Sequence, residues 1–117
     1  KIYQLNLLFE YFEIKISKND KKQDEIVTSF LNEITKDVIV NDQKLVKAGE
    51  DSFLFSFFSI ENNEGAQFKN HIWYRICVKE SKILIVSFVF SYKLTIKKIG
   101  EIYYNKINEL IKSSELN

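Results

Sequence analysis

The chain has 117 residues, with 17 Lys and Arg against 16 Asp and Glu and a formal net charge of +1. Hydrophobic residues make up 45% and aromatics 15%, with ten Phe but no Pro and only three Gly. This composition excludes a disordered tail, a collagen-like chain and a disulfide scaffold, and the even charge argues against a general nucleic-acid binder. The length fits one domain, residues 1–117, that buries roughly two-thirds of its unfolded surface.

Residues 2–16 carry two alternating patterns, Tyr3-Leu5-Leu7 and Phe12-Ile14-Ile16. Period two is the strand signal. Leu8 and Phe9 break the phase, so one bent strand or two short ones both fit. Residues 23–37 predict a helix, with Ile26, Val27, Phe30, Leu31, Ile34 and Val38 on one stripe. Asn41-Asp42-Gln43 reads as a turn.

Residues 44–60 read mainly as strand. Phe53, Phe55 and Phe57 point one way, and Leu54, Ser56, Phe58 and Ile60 the other. Apolar residues on both faces imply a central strand covered on both sides. Gly49 marks a bulge or tight turn before it, and 61–65 is a loop. Residues 69–78 and 83–92 then predict two hairpin strands. On the first, His71, Trp73, Arg75 and Cys77 share a face opposite Ile72, Tyr74, Ile76 and Val78.

The last segment predicts a helix with Thr95 as N-cap and one stripe through Ile96, Ile99, Tyr103, Ile107, Leu110 and Ile111. Glu101 with Lys98 and Glu109 with Lys106 read as local ion pairs. Gly100 marks a close approach of this helix to the sheet. The sum is an α+β domain: a layered α/β sandwich with a mainly antiparallel sheet and two amphipathic helices.

No catalytic constellation stands out, so the chain reads as not an enzyme, with catalytic and metal residues and cofactors all assigned as none. Its one His, His71, and its one Cys, Cys77, lie on one strand six residues apart. That separation is about 20 Å, too far for a nucleophile–base pair or a shared zinc. Glu61 and Glu64 lack the oxygen spacing of a calcium loop. Asp51, Glu61 and His71 are the residues a small hydrolase with dispersed carboxylates would use. A lone Cys77 forms no internal disulfide, which favours the cytoplasm over the periplasm or secretion unless a leader was removed before Lys1. No run reaches the roughly 20 apolar residues of a membrane span.

The binding candidates are His71, Trp73 and Arg75, since Trp and Arg are common anchors. They form a contact patch if that face is open. They are core if the N-terminal helix covers it. The basic cluster Lys93, Lys97 and Lys98 reads as a solvated helix start, with no nucleic acid as partner.

Three stretches carry a resemblance: HIWYRICVK at 71–79, SKILIVSF at 81–88, and the terminal helix closing on IKSS at 111–114. Together with the helix at 23–37 and the strand at 53–60, they resemble the Mog1/PsbP-like domains over residues 23–114. The opening departs from that family, having neither Pro nor Trp. The resemblance implies a non-enzymatic protein-binding domain, in one form a small bacterial immunity-like protein neutralising a secreted effector. The alternative is a structural or accessory subunit of a larger assembly.

Overall fold

The computed structural model describes residues 3–6, 14–15, 23–79 and 82–113. Strands β1 (Tyr3–Asn6) and β2 (Ile14–Lys15) precede helix α1 (Gln23–Thr35). Then come β3 (Asn41–Lys47), β4 (Ser52–Asn63), β5 (Ala66–Lys79) and β6 (Lys82–Lys93). A 3-10 turn, Leu94–Ile96, leads into α2 (Lys97–Ser113). The fold is α+β. Its sheet runs β1-β6-β5-β4-β3, every pair antiparallel, with β2 on the same edge of β6 as β1. The phase break expected at Leu8 and Phe9 lies outside the described residues.

The four strands β3 to β6 follow one another in space as in sequence, because each connection is short. Asn63 pairs with Ala66 across a two-residue turn. Glu64 and Gly65 both take the left-handed backbone there, at φ 51 and 83. This primed turn matches the twist of the strands. It narrows the loop expected at 61–65 to its last two residues. The expected 44–60 strand is divided at 48–51, where Ala48 N–H donates to the Ser52 carbonyl at 2.8 Å and Val78 N–H to that of Asp51 at 2.8 Å.

Strand alternation sends two apolar clusters to opposite faces of the sheet. Phe53, Phe55, Phe57, Ile76, Val78, Ile83 and Ile85 pack against Val27 and Leu31 of α1. Leu54, Trp73, Phe90 and Tyr92 pack against Ile111, with Tyr104 and Ile107 of α2 beside them. The α1 stripe agrees with the period reading from Ile26 to Ile34, while Val38 lies past the helix end and is exposed. Both faces of β4 agree except at Ile60, which is exposed.

The α2 stripe does not. Gly100, Ile107 and Ile111 turn inward with Tyr104, while Ile99, Ile102, Tyr103 and Leu110 stay exposed. Gly100 is the cause. A Cβ there would lie 2.5 Å from ring carbons of Tyr92. Its absence lets the helix press its backbone onto the ring, and that rotates the remaining apolar residues outward. The expected N-cap at Thr95 is also displaced: Thr95 sits inside the 3-10 turn, whose cap, Lys93, makes no side-chain bond.

Tyr92 is fully buried and held at its hydroxyl, so its ring cannot retreat from an added methyl. Ala gains about 1 kcal/mol over Gly in a helix, while overpacking costs about 1–3 kcal/mol. The rigid neighbour places this site at the upper end. Gly100→Ala is expected to lower unfolding free energy by about 2 kcal/mol, measured by denaturant titration. A gain in stability would mean that α2 is not pressed onto Tyr92.

Candidate functional site

His71, Trp73 and Arg75 do share one face of β5. They form no open patch, with relative exposures of 4%, 1% and 5%. The cover at His71 and Trp73 is α2, not the N-terminal helix. Tyr104 stacks on His71 at 3.9 Å between centroids and on Trp73 at 5.7 Å. Trp73 Nε1–H donates to Asn108 Oδ1 at 2.9 Å, which satisfies the one polar atom of the indole. Arg75 differs: it is neither an open anchor nor a residue reaching solvent over Trp73, the two readings its sequence position allowed, since it is 5% exposed and its Nε and Nη1 are buried with no hydrogen-bond partner among the described residues. Cys77 is half-buried on the same strand.

Beside these residues runs a polar chain drawn from three elements, buried at its His71–Tyr92 end and part-buried at its Lys69–Glu101 end. Lys69 Nζ pairs with Glu101 Oε1 at 2.8 Å. The Tyr92 hydroxyl donates to the same oxygen at 2.7 Å. His71 Nε2 lies 2.9 Å from that hydroxyl. A hydroxyl has one proton, and Tyr92 gives it to the carboxylate. It therefore accepts from His71, so Nε2 carries the imidazole proton and Nδ1 is the acceptor nitrogen. Lys69 also sits 4.2 Å over the Phe58 ring, which fixes its ammonium from a second side.

The electrostatics follow from burial. Desolvation, aided by the Lys69 charge and partly opposed by Glu101, pushes the His71 imidazole down to about 4. Burial alone would raise the Glu101 carboxyl, but hydrogen bonds from Lys69 and Tyr92 and the Lys69 charge outweigh it and hold it below the usual value. Burial and the bond to Glu101 push the Tyr92 phenol upward. The resting state is a neutral imidazole behind a charged Lys–Glu pair. The local pair expected between Glu101 and Lys98 gives way to Lys69, a partner 32 residues away.

A cleft of about 120 Å³ opens beside this chain, between α2 and the strands. His71, Trp73, Tyr104 and Phe58 wall it, and Asp42, Lys44 and Glu101 supply charge. Asp42 arrives through a bulge. Asn41 opposes Phe58 and Lys44 opposes Ser56, which leaves one extra residue on β3. Asp42 takes φ 56, a left-handed conformation that Asp tolerates. The expected turn at 41–43 is thus a bulged strand start, and it brings both Asp42 and Lys44 to the cleft. Neither Asp51 nor Glu61, the carboxylates singled out from sequence, lines it.

The outer face of α2 is the second surface of note. Leu110 is 70% exposed and Ile102 56%, with Ile99 and Tyr103 beside them. No helix of the described residues is long and apolar enough to cross a membrane.

The depressed imidazole makes stability depend on pH. An unfolded His titrates near 6.5. Between that value and about 4, the unfolded chain binds a proton that the folded chain refuses. Stability is therefore full above about pH 6.5 and falls as pH drops toward 4. Glu101, depressed in the fold, adds loss at the acid end. At about 1.4 kcal/mol per pKa unit the loss reaches a few kcal/mol. Denaturant titrations at about pH 7 and about pH 4.5 read it directly. His71→Gln, which keeps a donor for Tyr92, is expected to flatten the difference. An equal slope in that variant would contradict the assignment.

No family model, no curated protein and no solved structure matches the chain. This overturns the resemblance to Mog1/PsbP-like domains and to bacterial immunity proteins. The stretches that carried it, 71–79 and 81–88, are alternating aromatic and aliphatic strand residues. Any antiparallel sheet with a covered face needs the same pattern, so it has no power to single out a family.

Proposed function

We propose that this chain is a protein-binding domain that works by docking and not by catalysis, with the outer face of α2 as its contact surface. The observation that carries the reading is the exposed stripe on that helix. Ile99, Tyr103, Lys106 and Leu110 follow one another at intervals of four, three and four, with Ile102 on the flank. That spacing is the seam of a helix that packs on another helix. An exposed apolar stripe serves interaction more often than solubility. Lys106 lies over the Tyr103 ring, 6.0 Å from its centroid, so its charge shields the stripe in the free state.

The same reading takes the domain as a layered sandwich, with α1 and α2 each shielding one sheet face. The inner faces are then committed to the core, and α2 offers its second face outward. The partner chemistry is an amphipathic helix. The runner-up is an accessory subunit held permanently in a larger assembly, which the same stripe would serve.

The test is affinity capture from the source cells with the intact chain and with the double variant Ile102→Glu, Leu110→Glu. Both positions are exposed, so the variant keeps the fold. The expected result is one stoichiometric partner, retained by the intact chain and weakened at least about tenfold in the variant. A complex that survives gel filtration marks the accessory subunit, and one that dissociates marks the transient binder. Absence of a stoichiometric partner, or one held equally by the variant, overturns the proposal.

A further inference from the structure

The cleft over His71 has a use that docking through α2 leaves unexplained. Its size comes first. A cavity of about 150 Å³ holds a benzene-sized molecule. At about 120 Å³ this one takes a ligand of similar or smaller size, about six non-hydrogen atoms. The cleft is too small to enclose a nucleotide or an oligosaccharide.

Its charge comes second. Lys69 and Glu101 neutralise each other by direct contact. His71 is neutral, with Nδ1 as its acceptor. What remains is Asp42 and Lys44, brought to the cleft by the β3 bulge, and neither forms an ion pair among the described residues. Asp42 lines the cleft together with Tyr104 and Glu101 of α2, which puts it on the α2 side of the sheet. One free carboxylate and one free ammonium line the same cleft. A simple anion would meet Asp42, and a simple cation would meet Lys44. A dipolar ion satisfies both.

We propose that this cleft binds a small free amino acid, its ammonium toward Asp42, its carboxylate toward Lys44, and its side chain against Trp73 and Tyr104. The His71 acceptor takes a hydrogen bond from the same ammonium. The chain through Tyr92 and Glu101 serves as a positioning device, since it holds the imidazole by Nε2 and leaves Nδ1 as its acceptor nitrogen. The site is independent of the α2 outer face, and its failure would leave the docking reading untouched.

The chain supplies its own reporters. Its only His and its only Trp both line the cleft. L-Alanine, acetate and methylammonium are titrated separately against the intact chain, following the His71 imidazole resonances and Trp73 fluorescence. Alanine is expected to give a saturable response with a Kd of about 1 mM, ordinary for a ligand of this size. Acetate and methylammonium should bind at least about tenfold more weakly. Asp42→Asn keeps a residue that tolerates the left-handed backbone, and Lys44→Gln keeps the length of a polar side chain. Each is expected to weaken alanine about tenfold or more while leaving the unfolding midpoint unchanged. An equal response to acetate or methylammonium alone, no saturation by about 10 mM alanine, or variants that bind as well as the parent would overturn the proposal.

Discussion

The Tyr92 hydroxyl is the point at which the sheet, the last helix and the cleft are joined. It gives its proton to Glu101 on α2 and receives one from His71 on β5, while its ring lies under Gly100. The bonds are short and two of the partners are nearly or fully out of solvent, so each bond is worth more than its exposed equivalent. A misplaced α2 would leave the buried Tyr92 phenol without its acceptor Glu101 and the buried Trp73 N–H without Asn108. The register of the helix on the sheet is therefore fixed by polar satisfaction, with apolar burial supplying the bulk of the adhesion.

That constraint accounts for the two faces of α2. Periodicity assigns Ile96, Ile99, Tyr103, Ile107, Leu110 and Ile111 to one inward stripe, and the chain does otherwise. Gly100 and Asn108, which no hydrophobic count would place inside, are the positions that meet Tyr92 and Trp73. Ile99, Ile102, Tyr103 and Leu110 are turned outward as the consequence. The surface offered to a partner and the hydrogen-bond chain are two results of one rotation.

Much of the sheet was legible in the residues. Alternation placed Phe53, Phe55 and Phe57 opposite Leu54, and His71, Trp73 and Arg75 opposite Ile72, Tyr74 and Ile76, because period two is a local property of strands. Gly100 was also readable as a contact point, since a mid-helix glycine costs stability unless something comes close. The candidate site was half legible. His71 and Trp73 were singled out and do line the cleft, but the helix that covers them was misidentified, because no local pattern says which of two amphipathic helices takes which face. Glu101 was matched to Lys98 by local spacing, whereas Lys69 outcompetes it from another element. Asp42 was hidden in a stretch that reads as a turn, and only the register of β3 on β4 reveals the bulge.

The join at Tyr92 depends on the direction of the protons in this chain. Nitrogen-15 NMR of the single imidazole reads that direction at neutral pH without perturbing the fold. The expected spectrum is a neutral ring with its proton on Nε2, titrating near the depressed value of about 4. A proton on Nδ1, or an ordinary titration near 6.5, would contradict it.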